Sequence, residues 1–547
     1  MKYCVSFTLM FFCTQLFASP VTSLENIQGI TFNNAGKLIS FNSIQFRSGK
    51  VVSLDKPQQY KQRKRLDGKG AYVLPGIIDA HGHVMGLGFN LMQVDVRKST
   101  SADSAGKAVA KFAKKNPDLQ WIRGRGWNEV QWSGKTLPTA KDLDRWIKDR
   151  PVWLRRVDGH AGWANSKALA LAGINKDTQD PNGGQIIRDE KGHPTGILID
   201  NAMALISKQL PKYSALEQQQ ALHHSSEHLL SSGITSVHDA GIDYTTYQTY
   251  RDYAKNKRLP IRIYGMLSAA DPNLERMLKQ GWITDSQDFL SIRSVKIFSD
   301  GALGSRGAAL KKPYTDKAEH LGLMLREQAD IRSLYALVLK HQFQINIHAI
   351  GDRANQIALD EFAYVFQTSG GQELRHRIEH AQVVDLADIP RFKELNIIPS
   401  MQPTHATSDK NMAGDRLGNT RLKGAYAWQR FLKQGSRVAA GSDFPVELAN
   451  PFYGLHAAVT RQDRKNQPEK GWLPSQKMTV PQALRAFTLD AAYSAHQENE
   501  LGGLTPGKWA DFILIDRNIF EIPVEDIWKA KVLATYIAGQ ERYRKSI

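Results

Sequence analysis

Apolar residues in this chain fall into short runs that end at polar, chemistry-bearing side chains. The run Tyr72 to His83, YVLPGIIDAHGH, is rich in Val, Ile and Leu and stops at two histidines flanking a glycine. That is the pattern of a buried strand with polar groups at its C-terminal tip. Similar runs predict strands over 76–83, 234–239, 261–267, 293–299, 344–349, 376–381, 396–402 and 437–443. Most are separated by segments long enough for a helix, and ADIRSLYALVLKHQF and NQIALDEFAYVFQ carry apolar residues at helical spacing. Parallel strands require such crossovers. Eight units of this kind predict an α/β chain folded as a (β/α)8, TIM-type barrel, in which the active site gathers at the C-terminal strand ends.

Six residues at those predicted ends, His81, His83, Lys296, His348, His380 and Asp443, have the identities needed to hold a pair of divalent metals. Side chains two apart on a strand share a face, so His81 and His83 can converge on one ion, with Gly82 leaving the space between them open. Lys296 lies in a β-branched run, SVKIFSDGALGSRG, where an ammonium would be costly to desolvate. Two readings of it are open. Its amine has reacted with carbon dioxide to give a carbamate that bridges two metals, or its stem is buried and its head reaches water. His348, His380 and Asp443 end the runs QFQINIHAIGD, RHRIEHAQ and SRVAAGSDFPV; singly, each also reads as a satisfied rim residue.

The chain resembles the amidohydrolase superfamily, in particular the amidohydrolase-3 or YtcJ-like group that includes N-substituted formamide deformylase. The likeness spans nearly all of the chain after its leader. It is carried by LPGIIDAHGH, GRGWNE, DGHAGWANSKAL, PTGILIDNAM, VKIFSDGALGSRGA, NIHAIGDRAN, RIEHAQ, SMQPTHATSD, AAGSDFPV and GKWADFILID. The resemblance implies His81 and His83 on the more buried metal, a carboxylated Lys296 bridging, His348 and His380 on the second metal, and Asp443 beside the bridging water. It also implies a hydrolase acting on carbon–nitrogen bonds other than peptides, such as N-acyl or N-formyl amines. In that reading a metal-bridged hydroxide attacks, with Asp443 as proton shuttle. Esters, cyclic amides and carbamates are the alternatives. Zinc is the first choice from the nitrogen and oxygen ligands, with manganese, iron or cobalt able to occupy the same set.

The same resemblance implies that residues 19–75 and 500–547, both readable as short strands with turns, form one small β-sandwich beside the barrel of residues 76–90 and 231–499. Residues 91–230 are far too long for an ordinary βα loop and read as an insertion subdomain over the barrel mouth. It holds Trp121, Trp127, Trp132, Trp146, Trp153 and Trp163, six of the chain's 11 tryptophans, which either wall a pocket or fill a core. Trp127 and His160 are the substrate-contact candidates there. In DGALGSRGA small residues surround Ser305 and Arg306, so backbone can come close to a ligand; Arg306 either pairs with a substrate carboxylate or orients Asp300. Asp352, Arg353 and His238 are lesser candidates for the same surroundings.

The first 18 residues, one early lysine and an apolar core ending in Ala18, read as a cleaved secretory signal, which places the protein in the periplasm. Both cysteines, Cys4 and Cys13, fall inside it, so thiolate ligands and disulfides are not expected beyond it. No later stretch reaches the length of a transmembrane helix. The charge of +18 is spread along the chain apart from KQRKR at 61–65, and no nucleic-acid module is evident, so a solvated basic surface is the reading. A small-molecule substrate is expected, with a homo-oligomer left open.

Other activities fit less well. A serine hydrolase at Ser305 lacks the Gly-x-Ser-x-Gly spacing, since position 303 is Leu303. Gly134, Lys135 and Thr136 lack the upstream glycine of a phosphate loop, position 129 being Glu129. A secreted binding protein on a retired barrel would have lost ligands, and all six are present.

Overall fold

The computed structural model describes residues 20–55, 63–157, 159, 161–181 and 184–546. The expected leader with Cys4 and Cys13, Lys61 and Gln62 of the basic run, and His160 lie outside the described residues.

Eight parallel strands form the barrel: β1 (Ile77–Gly82), β2 (Ile234–Ile242), β3 (Arg262–Ser268), β4 (Leu290–Phe298), β5 (Gln344–Ala349), β6 (Arg377–His380), β7 (Ile398–Met401) and β8 (Ala439–Ala440). They are neighbours in sequence order, and a parallel bridge between Gly82 and Phe444 brings the end of the sheet back to its start. All six residues of β1 are buried, as expected for a parallel strand covered on both faces. Ile77, Val237, Ile263, Ile292, Ile345 and Ile378 are at most 1 % exposed, and burial of each contributes roughly 1.5–3 kcal/mol relative to exposure.

The last strand is shorter than the sequence predicts. Regular pairing covers only Ala439–Ala440 of the expected 437–443, because the chain then crowds against β1 and turns. A Cβ at Gly441 would lie 2.5 Å from the His81 amide nitrogen, so only glycine fits, and Asp443 follows with a left-handed φ of 59°. This turn delivers the Asp443 side chain to the barrel mouth.

Beside the barrel lie two further sheets. One has the order Lys50–Leu54, Ile44–Arg47, Val21–Glu25, Arg63–Asp67. The other joins both ends of the chain, in the order Gln540–Arg544, Val532–Ile537, Phe512–Ile515, Tyr72–Pro75, Gln28–Phe32, Leu38–Phe41. Leu24, Ile44, Phe46, Val73, Phe512 and Tyr536 share one core between them. Arg262 of β3 is buried against Asp511, with its Nε 2.5 Å and its Nη2 3.0 Å from the carboxylate, which ties the barrel to the terminal sheet. Removing either partner would strand a buried charge.

Within the insertion, Gly184–Arg188, Pro194–Asp200, Ala161–Ala164, Val152–Arg156, Ile122–Trp127 and Val94–Asp95 form a six-stranded sheet with its own core. The helix Val84–Leu91, which begins directly after His83, packs on Ala215–Ser231; a Cβ at Gly88 would meet the Ala221 carbonyl oxygen at 2.0 Å. Among the described residues no helix is long and apolar enough to cross a membrane.

A histidine outside the site marks how dry the barrel wall is. His376 Nδ1 accepts from the Ile345 amide at 2.9 Å and its Nε2 donates to the Gly371 carbonyl at 2.9 Å. Burial pushes this imidazole down to about 3, so it is neutral at ordinary pH.

Candidate metal centre

The structure brings all six expected residues to one end of the barrel. His81 on β1 and His83 just beyond it have ring centroids 5.6 Å apart, edge to face. Lys296 rises from β4 and is 1 % exposed, with Nζ 3.2 Å from His81 Nε2. His380, at the tip of β6, lies with its ring 4.5 Å from that of His348 and 4.9 Å from that of His81. Both His380 and the following Ala381 have left-handed φ, 75° and 41°, a sharp turn that aims the imidazole across the mouth. Asp443 Oδ1 stands 3.0 Å from His83 Nε2 and 3.7 Å from His81 Nε2.

Among the described residues, two sets of side chains offer ligand atoms within 4.8 Å of one another: His81, His83 and Asp443, and His380, His405 and Asp443. Asp443 belongs to both. His405 was not singled out in the sequence, although it stands four residues beyond β7 in SMQPTHATSD; its Nε2 is 3.7 Å from Asp443 Oδ2. His348 belongs to neither set; its Nε2 lies 3.4 Å from Asp300 Oδ1. The expected partnership of His348 with His380 is therefore seen as ring contact, with His405 nearer to the shared carboxylate.

The donor set suits a divalent metal. Burial pushes His81 down to about 4, helped by Lys296, and holds His380 well below its ordinary value, so both imidazoles are neutral and have lone pairs to give. Nε2 of His348 and of His405 are buried without a hydrogen-bond partner among the described residues. Burial opposes ionisation of Asp443, but His83, His81 and His380 outweigh it and hold the carboxyl well below the usual range. Burial lowers the Lys296 amine to about 8, so a sizeable neutral fraction exists near neutral pH. Imidazole nitrogens with a carboxylate fit zinc, manganese, iron or cobalt alike.

Behind these side chains stands a layer that the sequence did not reveal. Glu379 accepts from His81 Nδ1 at 2.5 Å and from Arg377 Nη2 at 3.0 Å. Burial would raise this carboxyl, but Arg377, His81 and Lys296 hold it far below its ordinary value. Arg377 also donates to the Ala80 carbonyl at 2.6 Å and Ser400 Oγ at 2.8 Å, and lies 2.9 Å from Nδ1 of His238. His238 is thereby connected to the site through Arg377 and Glu379. Asp79 accepts from Ser442 Oγ at 2.6 Å and from the Ser442 and His81 amides, which locks β1 to the segment carrying Asp443; burial pushes it up to about 7. Gln402 Oε1 holds His380 Nδ1 at 2.8 Å.

The mouth opens into a cavity of about 1040 Å³ between barrel and insertion, lined by His83, Gly241, Ser305 and Val446 among others. Arg306 does not orient Asp300. It pairs with Asp316 at 2.8 Å, while Asp300 accepts from the amides of Ala309, Ile350 and Gly351. Trp127 does not line the cavity: it is fully buried in the insertion core, its indole N–H donating to the Leu154 carbonyl and its ring packed edge-on to Trp163. Asp352 accepts from the Lys311 amide at 2.8 Å and likewise lies outside the cavity wall.

The barrel and the sequence resemble those of known proteins. The amidohydrolase family profile matches residues 65–543, and the chain belongs to that family of hydrolases. The chain is 33% identical over 546 residues to Protein LONG AFTER FAR-RED 3 of Arabidopsis thaliana, covering 96% of this chain and 92% of that one. It is 28% identical to the N-substituted formamide deformylase of Arthrobacter pascens, covering 88% and 90%. Among solved structures, an uncharacterized metal-dependent hydrolase from Pyrococcus horikoshii OT3 superposes with a TM-score of 0.76 at 26% identity, covering 92% of this chain and 99% of that one.

Proposed function

We propose that this protein is a two-metal hydrolase that cleaves the carbon–nitrogen bond of a linear amide, such as an N-acyl or N-formyl amine. The observation that carries the reading is the placement of Lys296. Its amine is buried 3.2 Å from His81 Nε2, beside two ligand sets that share Asp443. A neutral lysine amine adds to carbon dioxide, forming an N–C bond and releasing a proton, and the resulting carbamate, one negative charge shared by two oxygens, would offer both oxygens as metal ligands. His81, His83 and Asp443 would hold one ion; His380, His405 and His348 are the residues available to the other, with Asp443 in reach of both. Ions bound there acidify water and polarise a carbonyl.

The remaining roles fall to the chain's own residues. Asp443, its carboxyl held low with the help of its hydrogen bond to His83, accepts a proton from the attacking water and returns it to the leaving nitrogen. Glu379 holds the His81 ring in the tautomer that turns Nε2 toward the centre. The similarity to a formamide deformylase supports an amide as substrate.

The test is elemental analysis of protein purified without chelators, followed by a panel of N-formyl amines, N-acyl amines, esters, cyclic amides and carbamates. About two metals per chain and fastest turnover of linear amides are expected. Turnover confined to esters or cyclic amides would overturn the bond assignment, and a chain that takes up no metal would overturn the mechanism.

A further inference from the structure

The turns of the barrel mouth that carry Asp443 and His348 also carry large apolar side chains exposed to solvent. Val446 follows Asp443 by three residues, and its amide donates to the Asp443 carbonyl at 2.9 Å. The Leu325 amide donates to the Ser299 carbonyl at 2.8 Å, and the Ser299 amide in turn donates to the His348 carbonyl at 3.2 Å. Leu323, in the same loop, is anchored by a bond of 3.1 Å from its amide to the Gly307 carbonyl. Backbone hydrogen bonds thus fix the aliphatic residues to the strand ends of the metal centre. Phe298 lies two residues beyond Lys296, on the same face of β4; its ring centroid is 4.9 Å from Lys296 Nζ and 5.4 Å from the ring of His348.

Leu323, Leu325, Val446 and Phe298 are 54%, 58%, 42% and 39% exposed. A single exposed leucine is ordinary, but four large apolar side chains on the turns around one centre form a surface suited to contact. Leu323, Leu325 and Val446 line the same cavity as His83. The helix that begins after His83 adds Met85 and Phe89, four apart and so on one face, to that lining. Among the described barrel residues in the lining none is lysine or arginine. The two barrel carboxylates there already serve the fold: Asp239 accepts from the Tyr250 hydroxyl at 2.6 Å and the Val84 amide at 3.0 Å, and Asp243 from the Thr246 amide at 2.8 Å. The barrel side of the mouth therefore favours contact with hydrocarbon over contact with charge.

We infer that the amide cleaved here carries an uncharged aliphatic chain, which lies against Phe298, Leu323, Leu325 and Val446 while the scissile carbonyl is at the metal centre. The inference rests on the hydrolase reading above and adds to it the class of substrate. Because the leucines and Val446 are tied to the ligand-bearing turns, a chain seated on them positions the reacting group as well as adding affinity.

The test is calorimetric titration of the metal-loaded full chain with 1-butanol, 1-hexanol and 1-octanol, none of which has a bond for a hydrolase to cleave. Affinity is expected to rise roughly threefold with each added methylene group, the gain from moving it out of water. Leu323→Ser combined with Leu325→Ser changes two side chains that are more than half exposed, so the variant should fold as the parent does and flatten the series. Equal affinity for the three alcohols would overturn the proposal, as would a series that the two substitutions leave unchanged. Sedimentation of parent and variant over a range of concentrations should agree; a parent dimer that the substitutions dissociate would make a second copy of the chain the occupant and overturn the proposal too. Leucine-dependent binding in an enzyme that cleaves no amide would sink the carbon–nitrogen reading and leave the aliphatic site standing, whereas amide cleavage indifferent to chain length would do the reverse.

Discussion

Glu379 and His81 form a buried pair in which the carboxylate lies 2.5 Å from Nδ1, leaving Nε2 turned toward Lys296 and Asp443. An imidazole held this way has its tautomer set before any metal arrives. Glu379→Gln removes the anion and, with it, the basicity lent to the ring. Metal affinity is expected to fall by about 10–100-fold, the usual cost of losing such a partner. Competition with a graded series of chelators measures it, and unchanged affinity would show that Glu379 serves only to neutralise Arg377.

Lys296→Ala should abolish turnover while leaving the barrel folded, because the side chain ends in the site and not in the packing of β4. Millimolar formate or acetate should then restore part of the activity by supplying the missing carboxylate oxygens. Lys296→Arg fills the space with a group that cannot be carboxylated, so it should be both inactive and refractory to rescue. Full activity in Lys296→Ala would remove the bridging role.

Asp443→Asn keeps an oxygen in reach of both ligand sets but cannot carry the proton. Turnover is expected to drop by roughly 10²–10⁴-fold, the scale of general acid–base catalysis, while metal content changes far less. The comparison that decides is metal per chain against kcat on the same preparation. Parallel loss of both would make Asp443 a ligand alone.

The contrast between these residues and those found only in the structure shows what the sequence could express. His81, His83, Lys296, His348, His380 and Asp443 were legible because each interrupts or ends an apolar run, a pattern local to the chain. Glu379 and Asp79 sit in the same runs, yet a buried carboxylate one residue before or two before a histidine has no distinctive signature; its meaning comes from Arg377 and Ser442, the latter 363 residues from Asp79. His405 was hidden because it follows β7 by four residues on the helix Pro403–Asp409 instead of ending the strand. Arg306 shows a different limit. Its loop is rich in small residues, but its partner Asp316 lies in a segment without periodicity, and only folding brings the two to 2.8 Å. The eight barrel strands were predictable from hydrophobic runs alone, whereas the brevity of β8 depends on how closely Gly441 approaches β1.

Acid should weaken the fold through His376, and the sign follows from its burial. The folded-state imidazole has been pushed down to about 3, against about 6.5 for an exposed histidine, so between those values the unfolded chain binds a proton that the folded chain refuses. Stability is therefore complete above the unfolded value and lost as pH falls toward the folded one. At pH 5 the loss from this residue alone is about 2 kcal/mol, from the linkage relation between those two values. His376→Asn keeps an acceptor for the Ile345 amide but has nothing to titrate. It should be less stable than the parent at pH 7, because the bond to Gly371 and the ring stacking on Phe362 and Phe366 are gone. Between pH 7 and pH 5, however, its denaturation midpoint should fall by less than the parent's. Other buried histidines titrate in both proteins and cancel in the difference. Equal shifts in the two would mean that His376 is protonated in the folded protein at pH 5, and that the barrel wall behind β5 and β6 admits water.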